Sequence, residues 1–303
     1  MHNEVYNYCI TKKRVTHPNK RKKEKTMKKI ISLVLALALC LGCMLAVTSC
    51  DNVVVSRISV QKGTTSKMYA DLLKGVEVVP YDTFALAAND MKNGNVDYVI
   101  VDKTTANSLC KEISGLKVID NIPLSTENYG IGIDPAQTEL KGQIDAILES
   151  KAAEIEAIKQ KYMNDDEASF VGVTSAVKDV SKADSQLVVA TNAEFAPWEY
   201  KEGTEYFGID MEIAKLIADE LGMELVIDDM DFDNVVGAVG KQGIDIAMSG
   251  ITITAERLNV INFSNSYYTE SIVVVCLADD TSLDAVGTVV DLLTVLCVPS
   301  EEE

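Results

Sequence analysis

The side chains that most often act as nucleophile, general base or metal ligand are unevenly placed in this 303-residue chain. Both histidines, His2 and His17, lie in a basic N-terminal stretch, and none follows. Ser-His-Asp and Cys-His catalysis, and zinc binding through histidine, are therefore excluded for the body of the chain. The cysteines from Cys50 onward are far apart, which predicts neither a zinc ribbon nor a disulfide framework. We expect no catalytic residue, no metal and no other cofactor.

Two charged side chains remain as candidate ligand-binding groups. Arg257 ends the string T-A-E-R, and its planar guanidinium can hold both oxygens of a carboxylate. Asp102 ends the apolar string Y-V-I-V-D and could accept hydrogen bonds from an ammonium group. Each has an ordinary alternative, because Arg257 could be a helix-surface charge and Asp102 could cap a following helix. These residues alone leave both alternatives open.

The charge distribution separates the N-terminus from the body. Residues 1–30 carry ten basic and two acidic side chains, a net charge of +8. The rest of the chain carries 18 basic and 44 acidic side chains, a net charge of −26. A body this acidic repels phosphate backbones, so we expect no nucleic-acid partner.

The N-terminal region has the pattern of an export signal. Lys28 and Lys29 precede an apolar run at 30–47, which ends in small residues before Cys50. The string V-T-S-C at 47–50 resembles a bacterial lipobox, which implies cleavage before Cys50 and lipidation of its sulfur. We therefore expect residues 1–50 to be a basic extension plus a lipoprotein signal peptide, and the protein to be extracytoplasmic and held on the cell membrane by its lipid. The alternative is a plain transmembrane anchor, since eighteen apolar residues could just span a bilayer.

The elements that must position the candidate side chains follow an alternating pattern. From residue 53 onward, short β-branched segments alternate with amphipathic ones, such as those at 140–162 and 213–221. This alternation predicts an α/β fold with mainly parallel sheets covered on both faces. The predicted strands are Arg57–Val60, Glu77–Val79, Tyr98–Val101, Lys117–Ile119, Gly130–Ile133, Leu187–Ala190, Glu224–Ile227, Ile244–Met248 and Ser271–Val275.

One helix start carries a recognisable signature. In G-I-D-M-E-I-A-K-L-I-A-D-E-L at 208–221, Gly208 allows a tight turn and Asp210 can cap the helix N-terminus. The whole string resembles the signature of the family-3 bacterial solute-binding proteins, which bind amino acids. Three neighbouring strings resemble the same family in the same order: A-T-N-A-E-F-A-P-W-E-Y at 190–200, D-I-A-M-S-G-I-T-I-T-A-E-R at 245–257 and I-N-F-S-N-S-Y-Y at 261–268.

The earlier part of the chain resembles the other half of that family. V-Q-K-G-T-T at 60–65 resembles the turn that opens lobe 2, G-N-V-D-Y-V-I-V-D at 94–102 the strand with its ligand-binding aspartate, and E-N-Y-G-I-G-I at 127–133 the hinge return. The resemblance implies a two-lobed, type II periplasmic-binding-protein-like fold with permuted or rearranged connectivity. Its implied parts are residues 51–125 as lobe 2, 126–163 as the C-terminal part of lobe 1, 164–185 as a polar linker, 186–275 as the N-terminal part of lobe 1, and 276–303 as a degenerate crossover toward lobe 2.

This order has two interpretations. The chain could be a working circular permutant, because domain termini are commonly close together at the surface. It could also join the back half of one gene copy to the front half of another. We favour the rearranged gene, and we expect a nearly complete fold from it because every major element is represented once.

The resemblance also implies roles for individual residues. Burying the two charges of a free amino acid requires a partner for each. Arg257 would hold the α-carboxylate and Asp102 would accept the α-ammonium. Further contacts to the ligand would come from Thr252, from the backbone around Ser249, Gly250 and Ile251, from Thr64 and Thr65 in lobe 2, from Phe195 and Trp198 against the ligand side chain, and from Asn192 and Glu194 for its selection. Trp198 could equally pack in the hinge, and Gly63-Thr64-Thr65 could be an ordinary turn.

The function implied is capture of a free amino acid between two closing lobes and its delivery to the permease subunits of an ABC importer. We expect a monomer that is not an enzyme, and the sequence leaves the bound amino acid open. Two alternatives remain. One is a rearranged remnant that no longer binds, and the other is a dehydratase on the same fold acting on prephenate or arogenate.

Overall fold

The computed structural model describes residues 55–297, which form one compact unit. The predicted signal peptide, its lipidation site Cys50 and the last residues of the predicted tail lie outside this range. No helix within residues 55–297 is both long enough and apolar enough to cross a membrane. The strands of the described part are β1 (Ser56–Gln61), β2 (Val76–Tyr81), β3 (Tyr98–Asp102), β4 (Leu116–Ile119), β5 (Ser125–Tyr129), β6 (Gly132–Ile133), β7 (Gln186–Thr191), β8 (Glu194–Phe195), β9 (Glu199–Glu202), β10 (Glu205–Phe207), β11 (Glu224–Asp229), β12 (Ile246–Ala247), β13 (Asn262–Phe263) and β14 (Tyr268–Leu277).

The helices alternate with these strands. They are α1 (Thr65–Ala70), α2 (Phe84–Lys92), α3 (Lys103–Glu112), α4 (Thr138–Ser150), α5 (Ala152–Met163), α6 (Ile209–Leu221), α7 (Phe232–Ala238) and α8 (Val289–Cys297) within the described residues. The predicted α/β class is confirmed. Each predicted strand has a counterpart, although Gly130–Ile133 shortens to β6 and Ile244–Met248 shortens to β12, because the flanking residues turn into loops.

Two sheets divide the fold into two lobes. Lobe 2 contains the strand order β2-β1-β3-β14-β4, with β5 added alongside β14. Its strands β1, β2 and β3 are parallel, whereas β14 runs antiparallel to β3, β4 and β5. Lobe 1 contains the order β11-β7-β12-β6-β13, in which β11, β7 and β12 are parallel and β6 is antiparallel.

Two antiparallel strands connect the lobes. Strand β5 leaves lobe 2 and leads to β6 in lobe 1, while β14 runs back from lobe 1 into the sheet of lobe 2. Their register pairs Tyr129 with Tyr268 and Glu127 with Glu270. These strands form the hinge, and they bring chain segments more than a hundred residues apart into direct contact.

The core of lobe 1 explains the signature at the start of α6. Gly208 has a φ of +121°, and a Cβ at this position would lie 2.2 Å from the carbonyl oxygen of Trp198. Only glycine fits that approach without displacing the backbone. Helix α6 then buries Ile213, Ala214 and Ile217 completely in the core.

The segments outside the family-like strings are also packed. In the predicted linker, Val173 is buried and exchanges backbone hydrogen bonds with Tyr206. In the predicted degenerate tail, α8 buries Leu292 and Leu296 against the outer face of the lobe 2 sheet. The permuted or rearranged order of the lobes stays a prediction.

Candidate ligand-binding cleft

A cleft lies between the two lobes, and the space not filled by protein atoms at this place, open solvent included, is about 270 Å³. Its walls come from the ends of strands and the starts of helices in both sheets, as is usual for ligand sites in α/β folds. The lobe 2 wall consists of Gln61, Thr64, Thr65, Phe84 and Asp102, and the lobe 1 wall consists of Phe195, Phe232, Ser249, Gly250, Thr252 and Arg257.

Arg257 is the one basic side chain among the buried residues that the structure describes, with 9% of its surface exposed. Its Nη1 donates to the Thr252 carbonyl at 2.9 Å, and its Nη2 donates across the cleft to the Gly63 carbonyl at 3.0 Å. The guanidinium carbon lies 5.8 Å from the ring centroid of Phe232. Burial lowers the pKa of Arg257, and the nearby carboxylates of Glu127 and Asp102 oppose that shift. A guanidinium has five N–H groups, so three remain for a ligand.

Asp102 lies opposite, at the end of β3, and is 6% exposed. It occupies the N-cap position of α3, but its side chain makes no capping hydrogen bond. Its Oδ1 instead accepts a 2.5 Å hydrogen bond from the Tyr129 hydroxyl. Burial, followed by the charges of Glu127 and Glu270, raises the pKa of Asp102 well above its usual range. The capping alternative is thus not what the side chain does.

The threonine hydroxyls of the cleft already donate to protein acceptors. Thr64 donates to the Gln61 carbonyl at 2.7 Å and caps α1 by accepting from the Lys67 amide. Thr65 of lobe 2 and Thr252 of lobe 1 both donate to Oε2 of Glu127, at 2.7 and 2.6 Å. A hydroxyl has a single proton, so these three side chains can offer only lone pairs to a ligand in this arrangement.

The loop after β12 is held from behind by two buried carboxyl groups. Ser249 donates its hydroxyl proton to Glu199, and the Gly250 amide donates to Asp210 at 2.8 Å. The expected capping role of Asp210 is wrong, because Asp210 points into the core and accepts from the Tyr267 hydroxyl at 2.8 Å. Burial raises the pKa of Asp210 to about 7. Burial and the charge of Asp210 raise the pKa of Glu199 well above its usual range.

The aromatic candidates separate into a cleft residue and a hinge residue. Phe195 lines the cleft and lies 5.9 Å from the ring of Phe84, so one aromatic from each lobe faces the same space. Trp198 is fully buried and packs edge-on against Tyr129 at 4.9 Å and Tyr268 at 4.7 Å. The structure therefore places Trp198 in the hinge and outside the cleft lining.

Three further candidates do not line the cleft. Asn192 accepts a 3.0 Å hydrogen bond from Gln61 of the other lobe and donates to the Met230 carbonyl. Ile251 is fully buried, and its carbonyl accepts from the Gly130 amide next to β5. Glu194 is exposed. Asn192 thus contacts the opposite lobe, and Ile251 contacts the hinge.

Residues 187–295 match the sequence profile of the bacterial extracellular solute-binding proteins, family 3. The match covers about a third of the chain. It is 38% identical over 94 residues to the arginine-binding extracellular protein ArtP of Bacillus subtilis, covering 31% of this chain and 37% of ArtP. Cyclohexadienyl dehydratase of Pseudomonas aeruginosa is 37% identical over 82 residues, covering 27% of this chain and 31% of the enzyme. The chain thus spans about a third of the length of the curated relatives it matches.

Solved structures of binding proteins are also similar to the chain. The arginine-bound domain 1 of TmArgBP is 33% identical, with 40% of this chain and 98% of that domain covered and a TM-score of 0.27. The GluR0 ligand-binding core in complex with L-glutamate is 10% identical, with 82% of this chain and 94% of that core covered and a TM-score of 0.42.

The family 3 match contains the residues of the lobe 1 wall, and it begins after the residues of the lobe 2 wall in sequence. It includes Arg257 and Thr252, whereas Asp102 and Glu127 precede it. Sequence reasoning missed four residues that line or support the cleft: Gln61, Phe84, Phe232 and Glu127. Gln61 and Glu127 lie inside the family-like strings V-Q-K-G-T-T and E-N-Y-G-I-G-I, so both could have been named as candidates from these strings.

Proposed function

We propose that this protein captures a free amino acid in the cleft and delivers it to the permease subunits of an ABC importer. The observation that carries the proposal is that Arg257 and Asp102 line the same cavity, although 155 positions separate them in sequence. A buried cation and a buried anion that face one space are suited to the two charges of a zwitterion. The family 3 match of residues 187–295 supports the same function.

The proposed contacts follow from the free hydrogen-bonding capacity of each group. The three uncommitted N–H groups of Arg257 would bind the α-carboxylate, and the Asp102 carboxylate would accept from the α-ammonium. Each charge-assisted hydrogen bond contributes roughly 1.5–3 kcal/mol net. Together they support micromolar affinity after the cost of association.

Closure of the lobes would couple binding to transport. Two hydrogen bonds already cross the cleft, from Arg257 to the Gly63 carbonyl and from Gln61 to Asn192. A ligand held by both walls adds further cross-lobe contacts and shifts the hinge equilibrium toward the closed form. The closed form would be the species that docks on the permease.

The placement in the cell belongs to the same proposal. The basic and apolar N-terminal pattern, with Cys50 at its end, supports secretion followed by lipidation. The protein would act as a monomer on the outer side of the membrane, and the order of its lobes would be permuted relative to family 3. The partial identity to ArtP suggests a test for arginine among the candidate ligands.

A dehydratase activity is the second candidate, because one curated relative is a cyclohexadienyl dehydratase. Incubation with prephenate and with arogenate, followed by detection of carbon dioxide and an aromatic product, tests it. We propose binding without catalysis, since most of the curated relatives in the comparison are binding proteins. Product formation that Asp102→Asn abolishes would replace binding with catalysis.

A thermal-shift panel of the twenty amino acids tests the proposed binding. A ligand at a hundred times its dissociation constant should stabilise the protein by about 2.7 kcal/mol. Arg257→Ala should abolish the shift. Arg57→Ala is the matched control, because Arg57 donates to the Gly94 carbonyl on the surface of lobe 2, away from the cleft. Absence of a shift with all twenty amino acids would favour the non-binding remnant.

A further inference from the structure

We propose that Glu127 is a specificity residue of the cleft, which takes the hydroxyl protons of Thr65 and Thr252 and so selects an amino acid with a cationic side chain. This inference rests on the proposed function and adds the substrate class to it. Glu127 lies on hinge strand β5, between the two walls, and is 4% exposed.

Glu127 accepts hydrogen bonds from a threonine of each wall, and the direction of these bonds determines what the cleft offers to a ligand. Glu127 Oε2 accepts from one hydroxyl of each lobe, at 2.7 Å from Thr65 and 2.6 Å from Thr252. Both threonines line the cleft. Because each has spent its proton on Glu127, the oxygen that it presents to the cleft can only accept a hydrogen bond. A donor-rich group, such as an ammonium or a guanidinium, satisfies these oxygens, and a carboxylate does not.

Buried acidic side chains outnumber buried basic ones around the cleft. Asp102, Glu127 and Glu270 are three buried carboxyl groups close enough that the charges of Glu127 and Glu270 raise the pKa of Asp102. Arg257 is the single buried basic side chain of the described residues. Burial raises the pKa of Asp102 and of Glu270 and so favours their protonated forms in the free protein. A neutral zwitterion brings one cationic group against which one of these carboxyl groups can ionise. A ligand with a second cationic group allows a second carboxyl group to ionise, because a buried charge is costly without a partner.

A bound metal ion is the other cation that buried acids could hold. The described residues contain no group of three or more histidine, cysteine, aspartate or glutamate side chains arranged to hold one. The three carboxyl groups are instead engaged separately: Asp102 by Tyr129, Glu127 by the threonines, and Glu270 by the Thr104 and Ser271 amides. An organic cation that reaches past Asp102 fits this spread-out arrangement better than a single ion.

The α-carboxylate of such a ligand still has a partner. Arg257 uses two N–H groups on carbonyl oxygens and keeps three for the carboxylate. Arg257 is thus the donor for the α-carboxylate, whereas Asp102 and the hydroxyl oxygens of Thr65 and Thr252 offer acceptors. An amino acid with a positively charged side chain matches this surplus of acceptors.

Calorimetric titration of the full chain with L-arginine and with L-citrulline tests the inference, because citrulline replaces the guanidinium by an uncharged urea group of nearly the same shape. The wild-type protein should bind arginine on the order of 10- to 100-fold more tightly than citrulline. Glu127→Gln should reduce this ratio to within about threefold, since the variant loses the negative charge while its amide oxygen can still accept from both threonines. Glu77→Gln is the matched control, because it removes the same charge from the exposed face of lobe 2 and should leave the ratio unchanged.

The outcomes separate the inference from the proposed function. If no amino acid binds to the wild-type protein, the proposed function fails. If amino acids bind and arginine shows no preference over citrulline, or if Glu127→Gln keeps the wild-type ratio, the role of Glu127 is overturned while the proposed function stands. Should Glu127→Gln fail to fold, Thr65→Val provides the second variant. It removes one acceptor oxygen and should lower the ratio severalfold, and an unchanged ratio would also overturn the inference.

Discussion

The hydroxyl of Tyr129 donates a 2.5 Å hydrogen bond to Asp102, which joins the hinge strand β5 directly to the carboxylate at the end of β3. Tyr129 also packs edge-on against the single tryptophan of the chain, Trp198, and its backbone carbonyl accepts from the Tyr267 amide. The proposed ammonium-binding group is therefore linked to lobe 1 through one side chain. Movement of the hinge and exposure of Asp102 should be coupled for this reason.

Replacing Tyr129 by phenylalanine tests this coupling. The variant removes the hydrogen bond and leaves Asp102 buried without it, so the affinity for the amino acid should fall by roughly tenfold. Calorimetric titration measures the change. Tyr200→Phe is the control, because the Tyr200 ring stacks on Phe207 away from the cleft. Equal affinity of Tyr129→Phe and the wild-type protein would contradict the coupling.

The raised pKa of Asp102 predicts pH-dependent binding. The groups around Asp102 are Tyr129, Glu127, Glu270 and Arg257. Burial favours the protonated carboxyl in the free protein, and a protonated carboxyl cannot pair with an ammonium ion. Binding should therefore release a proton, and the affinity should rise as the pH rises through the raised pKa of Asp102. Titrations in two buffers of different ionisation enthalpy measure the released proton, and proton uptake on binding would refute the assignment.

The pair of buried carboxyl groups behind the Ser249 loop predicts a pH-dependent stability. The pKa of Asp210 is raised to about 7, mainly by burial. A carboxyl group with a raised pKa stabilises the folded state fully below its unfolded pKa, and this stabilisation is lost as the pH rises through about 7. Each pKa unit corresponds to about 1.4 kcal/mol. Removing the titrating group should therefore improve stability most at high pH.

Asp210→Asn is the variant that measures this effect. An amide oxygen at the position of Oδ2 can still accept from both the Gly250 amide and the Tyr267 hydroxyl, so the loop should remain in place. The stability of the variant relative to the wild-type protein should increase by about 3 kcal/mol from about pH 5 to about pH 8, read by calorimetric unfolding. Asp219→Asn on the exposed side of α6 is the control, because Asp219 is exposed and pairs with Lys215 at the surface. Parallel pH profiles for Asp210→Asn and the wild-type protein would disprove the raised pKa.

Much of the fold and one wall of the site could be predicted from the sequence. Short β-branched segments alternating with helical patterns predict the α/β class, because each such pattern is local to a single element. Arg257, Thr252, Ser249 and Gly250 were found because they lie close together in one string, and the structure brings them to the cleft. These four residues could be identified from the sequence because they belong to one short segment.

The rest depends on contacts between distant segments. The role of Glu127 depends on tertiary structure, because β5 places Glu127 between Thr65 and Thr252, which are 187 positions apart in sequence. Asp210 had the residue type and the position of a helix cap, yet its carboxylate lies in the core and accepts from the Gly250 amide and the Tyr267 hydroxyl. Trp198 followed the ligand-contacting pattern but packs between Tyr129 and Tyr268 instead. Hydrogen-bond direction and side-chain orientation are tertiary properties that no local string specifies.

Helices α5 and α6, which belong to the two sequence segments of lobe 1, meet in a contact that can be tested. The Tyr162 hydroxyl on α5 donates to Glu212 on α6 at 2.6 Å and accepts from the Gly208 amide at 3.0 Å. Tyr162→Phe should lower the free energy of unfolding by about 1–3 kcal/mol, because it leaves Glu212 and the amide without this partner. Urea denaturation measures the loss, with Tyr200→Phe as the control. Wild-type stability of Tyr162→Phe would show that residues 152–163 do not pack on α6 in this way.

The most direct measurement is a calorimetric titration of the wild-type protein, Arg257→Ala and Asp102→Asn with the amino acid that binds best in the thermal-shift panel. If both side chains hold the same zwitterion, each substitution should weaken binding by roughly 100-fold, because each leaves one ligand charge unpaired in the closed cleft. Wild-type affinity in either variant would show that the guanidinium and the carboxylate do not act on one ligand, and the proposed binding site would be wrong.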